Sequence, residues 1–154
     1  MIVALENIRS LWNIGAILRT AEFFGIKEVW LVGYTGRELA GWDELHHKIG
    51  KTALGAEKNL KIKFLRDSLQ LIKLAKEKKK VLVAIEQDKQ AIDLREWQAK
   101  ENSVLVLGSE TEGVSKEILG AAEQIVEIPR LGKKNSLNVA TVAGIVLAKV
   151  SLFN

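Results

Sequence analysis

Arg19 stands six residues after Asn13 in the stretch Asn13-Ile14-Gly15-Ala16-Ile17-Leu18-Arg19-Thr20-Ala21, whose apolar spacing predicts a helix beginning near Asn13. A guanidinium stays charged at any ordinary pH, so it either faces solvent or binds an anion. Asn13 reads as the N-cap of that helix. A second cluster follows an apolar run, Val104 to Leu107, which breaks at Gly108 into Ser109-Glu110-Thr111-Glu112-Gly113-Val114-Ser115. Glycine at a strand end lets a ligand approach the main chain, and Glu110 can accept from a hydroxyl or amino group. The same residues also read as a plain turn, with Ser115 capping the next helix and Glu117 in its first turn.

The third cluster is Ile128-Pro129-Arg130-Leu131-Gly132-Lys133-Lys134-Asn135-Ser136-Leu137-Asn138-Val139-Ala140, a strand end, a basic loop and the start of a long apolar helix. Ser136 or Asn138 can cap that helix, and Lys133 and Lys134 can face phosphates. A cap uses one polar residue where two are present. The surplus points to a site.

Other chemistries fail on spacing. Dinucleotide binding through a Gly-x-Gly pair is disfavoured, because no two of the twelve glycines are one residue apart. Gly50-Lys51-Thr52 ends like a phosphate-binding loop, but the glycine required five positions earlier is Leu45. His46 and His47 are adjacent and lack a third ligand at a useful spacing, and with no cysteine in the chain thiolate metal sites and disulfides disappear together. Two acids in the turn after Gly108 would repel a pyrophosphate.

The elements that must hold these clusters alternate. Short β-branched runs, Ile2 to Leu5, Glu28 to Val32, Lys61 to Leu65, Val81 to Ile85, Val104 to Leu107 and Ile125 to Ile128, read as buried strands. Helical spacing covers Ile14 to Phe24, Ser68 to Lys79, Ser115 to Ala122 and Leu137 to Phe153. This pattern predicts an α/β fold, a parallel sheet flanked by helices on both faces. Tyr34 to Gly55 holds four glycines and both histidines and is expected to be a long loop, with or without a short helix.

The 154 residues, 47% hydrophobic and 27% charged, suit one domain, residues 1–154, and exclude disordered and collagen-like classes. With no apolar run near the length of a membrane span and no signal-like start, a cytoplasmic protein is expected. The net charge of +4 is uneven, about +6 over residues 1–80 and −2 over the rest. That imbalance suits a polyanionic partner, and Arg9, Arg37, Lys48, Lys51 and Lys133 are the candidate contacts. The lysines from Lys73 to Lys80 read as a solvated helix end.

In order and spacing, the three clusters resemble the signature motifs of the SpoU (TrmH) branch of the SPOUT RNA methyltransferases, across nearly the whole chain. The resemblance implies transfer of a methyl group from S-adenosyl-L-methionine, with no metal, to a ribose 2′-hydroxyl of tRNA or rRNA. It implies a C-terminal trefoil knot and a homodimer whose active site draws on both subunits. Residue by residue, Asn13 and Arg19 match the first motif, Glu110 the second, and Ser136 and Asn138 the third, as the catalytic set. The cofactor is expected against the main chain around Ile85, Gly108, Ile128 and Leu137. Arg130 departs from the methionine frequent at that place in relatives, and no additional RNA-binding domain is expected. A catalytically idle RNA-binding module of the same fold and a dinucleotide-dependent oxidoreductase are the competing readings.

Overall fold

The computed structural model describes residues 1–35 and 42–153, with the side chains at 42–46 and 48 outside the description. Seven strands form one parallel sheet: β1 (Ile2–Glu6), β2 (Glu28–Val32), β3 (Lys61–Leu65), β4 (Val81–Ile85), β5 (Ile92–Asp93), β6 (Ser103–Leu107) and β7 (Gln124–Glu127). Their order across the sheet is β3-β2-β1-β6-β4-β7-β5. All six expected strands are present within one residue at either end. β5, two residues long, carries too little apolar pattern to be seen beforehand.

Among the described residues five α-helices cover the sheet: α1 (Leu11–Phe23), α2 (Trp42–Ala53), α3 (Ser68–Glu77), α4 (Lys116–Ala121) and α5 (Val139–Leu152). Side chains alternate across the pleat, so each strand feeds two cores. Val3, Leu5, Val29, Leu31, Leu105 and Leu107 pack with Ile14, Ile17 and Leu18 of α1, Ile49 of α2 and Val146 and Leu147 of α5. Ile2, Ala4, Trp30, Val32, Val104 and Val106 pack on the other face with Leu71 of α3 and Ile118 of α4. The central strands β1 and β6 are buried on both faces, which is why they read as continuous apolar runs.

Two expectations need correction. The segment from Tyr34 to Gly55 is not mainly loop: α2 spans 12 of its residues and is followed by a 3-10 helix over Ala56–Asn59. Its helical character is masked by glycine and paired histidines, and it is fixed by tertiary contact. A Cβ added at Gly15 of α1 would lie 2.7 Å from the Thr52 Cβ, so the glycine in the first cluster lets α1 and α2 touch. Gly36, Arg37 and Gly41 lie outside the described residues, as do the side chains of His46 and Lys48.

The second correction concerns the start of α1. Ser10, not Asn13, is the N-cap, its hydroxyl accepting from the Asn13 main-chain N–H at 3.2 Å. The helix therefore begins a turn sooner, and the Asn13 side chain is left for other use.

Register sets the site. Leu5 pairs with Leu107, Leu107 with Ile85, and Ile85 with Val126, so β1, β6, β4 and β7 end in one row. The loops after these four strands consequently leave the same edge. Parallel sheets bind ligands there, where the order of connection reverses.

Candidate active site

The loop after β6 is closed on itself. Ser109 and Gly113 exchange main-chain hydrogen bonds, each 3.0 Å. Gly113 has φ +70°, and a Cβ on Gly108 would stand 2.1 Å from the Gly113 carbonyl carbon. Both positions therefore demand glycine. Glu86, just past β4, accepts from the Val114 N–H at 2.9 Å and ties this loop to its neighbour strand. From behind, Glu6 at the end of β1 is fully buried and accepts from the Ser115 N–H at 2.9 Å, the Ser115 hydroxyl at 2.6 Å and the Ser68 hydroxyl. Glu6 thus anchors the starts of α3 and α4. It gave no signal beforehand, because a single acid at a strand end looks like any surface residue.

A cavity of about 670 Å³ opens over this loop, bounded by the segments after β4, β6 and β7. Ile85, Gly108, Ile128 and Leu137, the four residues expected at the cofactor, all line it, together with Glu110 and Ser136. Its apolar wall adds Leu107, Val139 and Val142. Its charge is mixed: Glu86, Glu110, Glu112 and Glu127 line it together with Arg130, Lys133 and Lys134 of the basic loop. That loop is braced by the Gln87 amide donating to the Asn135 carbonyl at 3.1 Å and by Arg130 donating to the Asn135 side chain at 2.8 Å.

At the mouth the three clusters meet through side chains. Asn13 Nδ2 donates to Glu110 Oε1 at 2.8 Å, and Asn138 Nδ2 donates to Asn13 Oδ1 at 3.1 Å. These bonds join residues 97 and 125 positions apart in the chain. Glu110 also accepts from the Arg9 and Ser10 N–H groups at 3.3 and 3.4 Å. Burial by itself raises the Glu110 carboxyl, yet the Asn13 bond and these main-chain donors outweigh it and hold the group below its ordinary 4.5. Asn138 serves twice, since its Oδ1 also caps α5 by accepting from Ala140 N–H at 2.8 Å. Ser136 is therefore the surplus polar residue. Among the described residues its hydroxyl has no hydrogen-bond partner, and it faces the cavity exposed.

Arg19 is placed elsewhere. It lies exposed on the outer face of α1 in a separate depression shared with Trp12, Ala16, Thr20 and Phe23, and this depression has no residue in common with the cavity. Of the five expected catalytic residues, Glu110 and Ser136 line the cavity, Asn13 and Asn138 are joined to it through Glu110, and the Arg19 guanidinium is not. The face it occupies is unusual for a surface. Trp12, Ala16, Arg19 and Phe23 share one helical stripe, with Trp12 71% and Phe23 80% exposed. Of the expected anion contacts, Arg9 and Lys133 border the cavity region and Lys51 lies exposed on α2. Among the described residues no cluster of acids and histidines could hold a metal ion, and no helix is long and apolar enough to cross a membrane.

Comparison with known proteins agrees with this geometry. Over 145 residues the chain is 30% identical to a tRNA (guanosine(18)-2'-O)-methyltransferase of Thermus thermophilus, covering 94% of this chain and 71% of the relative. Its fold superposes with a TM-score of 0.81 on the Aquifex aeolicus TrmH/SpoU tRNA modifying enzyme, at 28% identity over 96% of this chain and 72% of that one. An AdoMet-bound rRNA methyltransferase from Sinorhizobium meliloti superposes with a TM-score of 0.84 at 26% identity, covering 96% of this chain and 54% of that one. This chain thus spans little more than half the length of the Sinorhizobium enzyme. A family model matches residues 1–148, and with the three clusters joined at one cavity, the chain belongs to the SpoU rRNA Methylase family.

Proposed function

We propose that the protein transfers a methyl group from S-adenosyl-L-methionine to a ribose 2′-hydroxyl of tRNA or rRNA, in the cytoplasm and as a homodimer. The observation that carries this reading is the hydrogen-bonded junction Glu110–Asn13–Asn138, which gathers three distant segments at the mouth of one cavity. The cavity fits the donor in charge and in character. Four carboxylates offset a sulfonium and an ammonium, and the Ile85, Leu107, Ile128 and Leu137 wall suits the adenosyl portion. The donor supplies, when bound, an electrophilic methyl on a positively charged sulfur. No metal is called for.

The chain's own residues then have three tasks: to align the acceptor oxygen, to help it shed a proton and to steady the charge that develops. Ser136, whose hydroxyl is uncommitted, orients the ribose. Asn13, Asn138 and Glu110 are spent on each other, so they fix the mouth rather than move protons. Arg19 of the partner subunit completes the site. A guanidinium has pKa above ~12, so it serves as a fixed cation that holds the target phosphate and stabilises the forming alkoxide, while the proton passes to phosphate or water. The bare stripe Trp12–Ala16–Arg19–Phe23 supports this arrangement, as do the exposed Ile145, Leu152 and Phe153 of the C-terminal helix and its end, since burying two such faces together removes apolar surface from water.

The test is methyl transfer from tritiated donor to bulk tRNA and rRNA, followed by nucleoside analysis. A 2′-O-methylated nucleoside is expected. Donor binding without any transfer would leave an idle RNA-binding module instead. Mixing an Arg19→Ala chain with a Gly108→Leu chain tests the shared site: hybrids regain one intact site, so activity should return on mixing two inactive variants. No recovery would confine the site to one chain.

A further inference from the structure

We propose that Arg9 and Tyr34 form a stacking platform for an unpaired nucleobase of the RNA beside the methylated ribose, an inference that rests on the RNA methyltransferase reading above. The segments after β1 and β2 are bound tightly to each other. Tyr34 N–H donates to Asn7 Oδ1 at 2.9 Å, Ile8 N–H donates to the buried Thr35 hydroxyl at 2.6 Å, and that hydroxyl donates to the Ile8 carbonyl at 3.2 Å. Gly33, at φ +63°, lets Asn7 approach, since a Cβ there would stand 2.3 Å from Asn7 Oδ1. The position of Tyr34 is therefore set by main chain and neighbours.

The Tyr34 ring is 41% exposed, with the Arg9 guanidinium carbon 5.5 Å from its centroid. Neither the Arg9 guanidinium nor the Tyr34 hydroxyl has a hydrogen bond or ion pair among the described residues. Glu110 is bonded to the Arg9 main-chain N–H and not to its side chain, so among the described residues no carboxylate pairs with the guanidinium. An exposed aromatic ring with a planar cation over it, both on a tightly bonded main chain, offers π surface and charge to a base and its phosphate. Location gives the pair its purpose: the Arg9 N–H donates to Glu110, and Glu110 lines the donor cavity. The platform stands one residue from the mouth. RNA enzymes that act on single strands read splayed bases by such stacking.

The experiment titrates the protein into an oligoadenylate decamer carrying one central 2-aminopurine, whose fluorescence falls on stacking. The wild type should quench it, Tyr34→Phe should bind within about twofold, and Tyr34→Leu and Arg9→Ala should lose the quench and weaken binding roughly 5- to 50-fold. Donor affinity by calorimetry should stay within about twofold in all three. Unchanged quenching in Tyr34→Leu, no quenching by the wild type, or joint loss of donor binding in Tyr34→Leu would each overturn the platform. A wild type that quenches yet transfers no methyl group removes the proposed function and leaves the platform standing. Full activity and an unchanged KM for RNA in Tyr34→Leu do the reverse.

Discussion

The cavity at the carboxyl edge of the sheet and the outer face of α1 differ in how their polar groups are held. At the cavity the glycines sit where main chain must close on main chain, and the polar groups of three segments bond to one another. On α1, Arg19 has no ion pair among the described residues and stands between two exposed aromatic rings. Both lie on or beside the same helix, for Asn13 turns one way and Arg19 the other. A helix six residues on has advanced about 9 Å and rotated well off the first face, so one motif can serve two surfaces. On the proposed reading, donor binding draws on the first region and the chemistry on the second.

The largest effect should come from separating these two regions. Arg19→Ala should lower methyl transfer about 10²- to 10³-fold, the range for losing one charge-stabilising group, with donor affinity within about twofold. Equal losses of binding and turnover would merge the regions. Next, Gly108→Ala forces the loop open against main chain, and donor affinity should fall on the order of 10- to 100-fold by calorimetry, with stability reduced about 1–3 kcal/mol. Trp12→Glu together with Phe23→Glu should shift the protein to monomer in sedimentation and abolish transfer, leaving donor binding within about threefold. A dimer that survives both changes would move the interface elsewhere.

Smaller effects sharpen the junction between the regions. Glu110→Gln sets an amide against the donors of Asn13, Arg9 and Ser10, at a cost of about 1–3 kcal/mol if one donor is left unsatisfied. The smallest effect is the pH response. The folded-state Glu110 carboxyl lies below 4.5, so its contribution is complete above that value and is lost as pH falls through the depressed one. Melting temperatures of wild type and Glu110→Gln should therefore converge as pH drops from 7 toward 3. Parallel curves would mean the carboxylate adds nothing at the mouth.

Much of this was legible in the sequence for physical reasons. β-branched runs of four or five residues among helical periods point to a parallel sheet, and Gly108 and Gly113 mark a turn that no side chain could enter. Asn138 and Ser136 together exceed what a cap requires, and the structure assigns the cap to Asn138 and leaves Ser136 at the cavity. Illegible were α2, whose helical character depends on contact with Gly15, and Glu6, whose burial comes from two serines 62 and 109 residues away. The Ser10 cap was hidden because Asn13 offered an equally good one.

By itself, the sequence determined which elements form and which residue types cluster along the chain, since periodicity, turn chemistry and motif spacing are local. Only the tertiary structure decided that Asn13, Glu110 and Asn138 bond to one another, and that Arg19 faces away from them. Those outcomes depend on strand order and on the rotation of α1 against the sheet. Neither is encoded within any one segment.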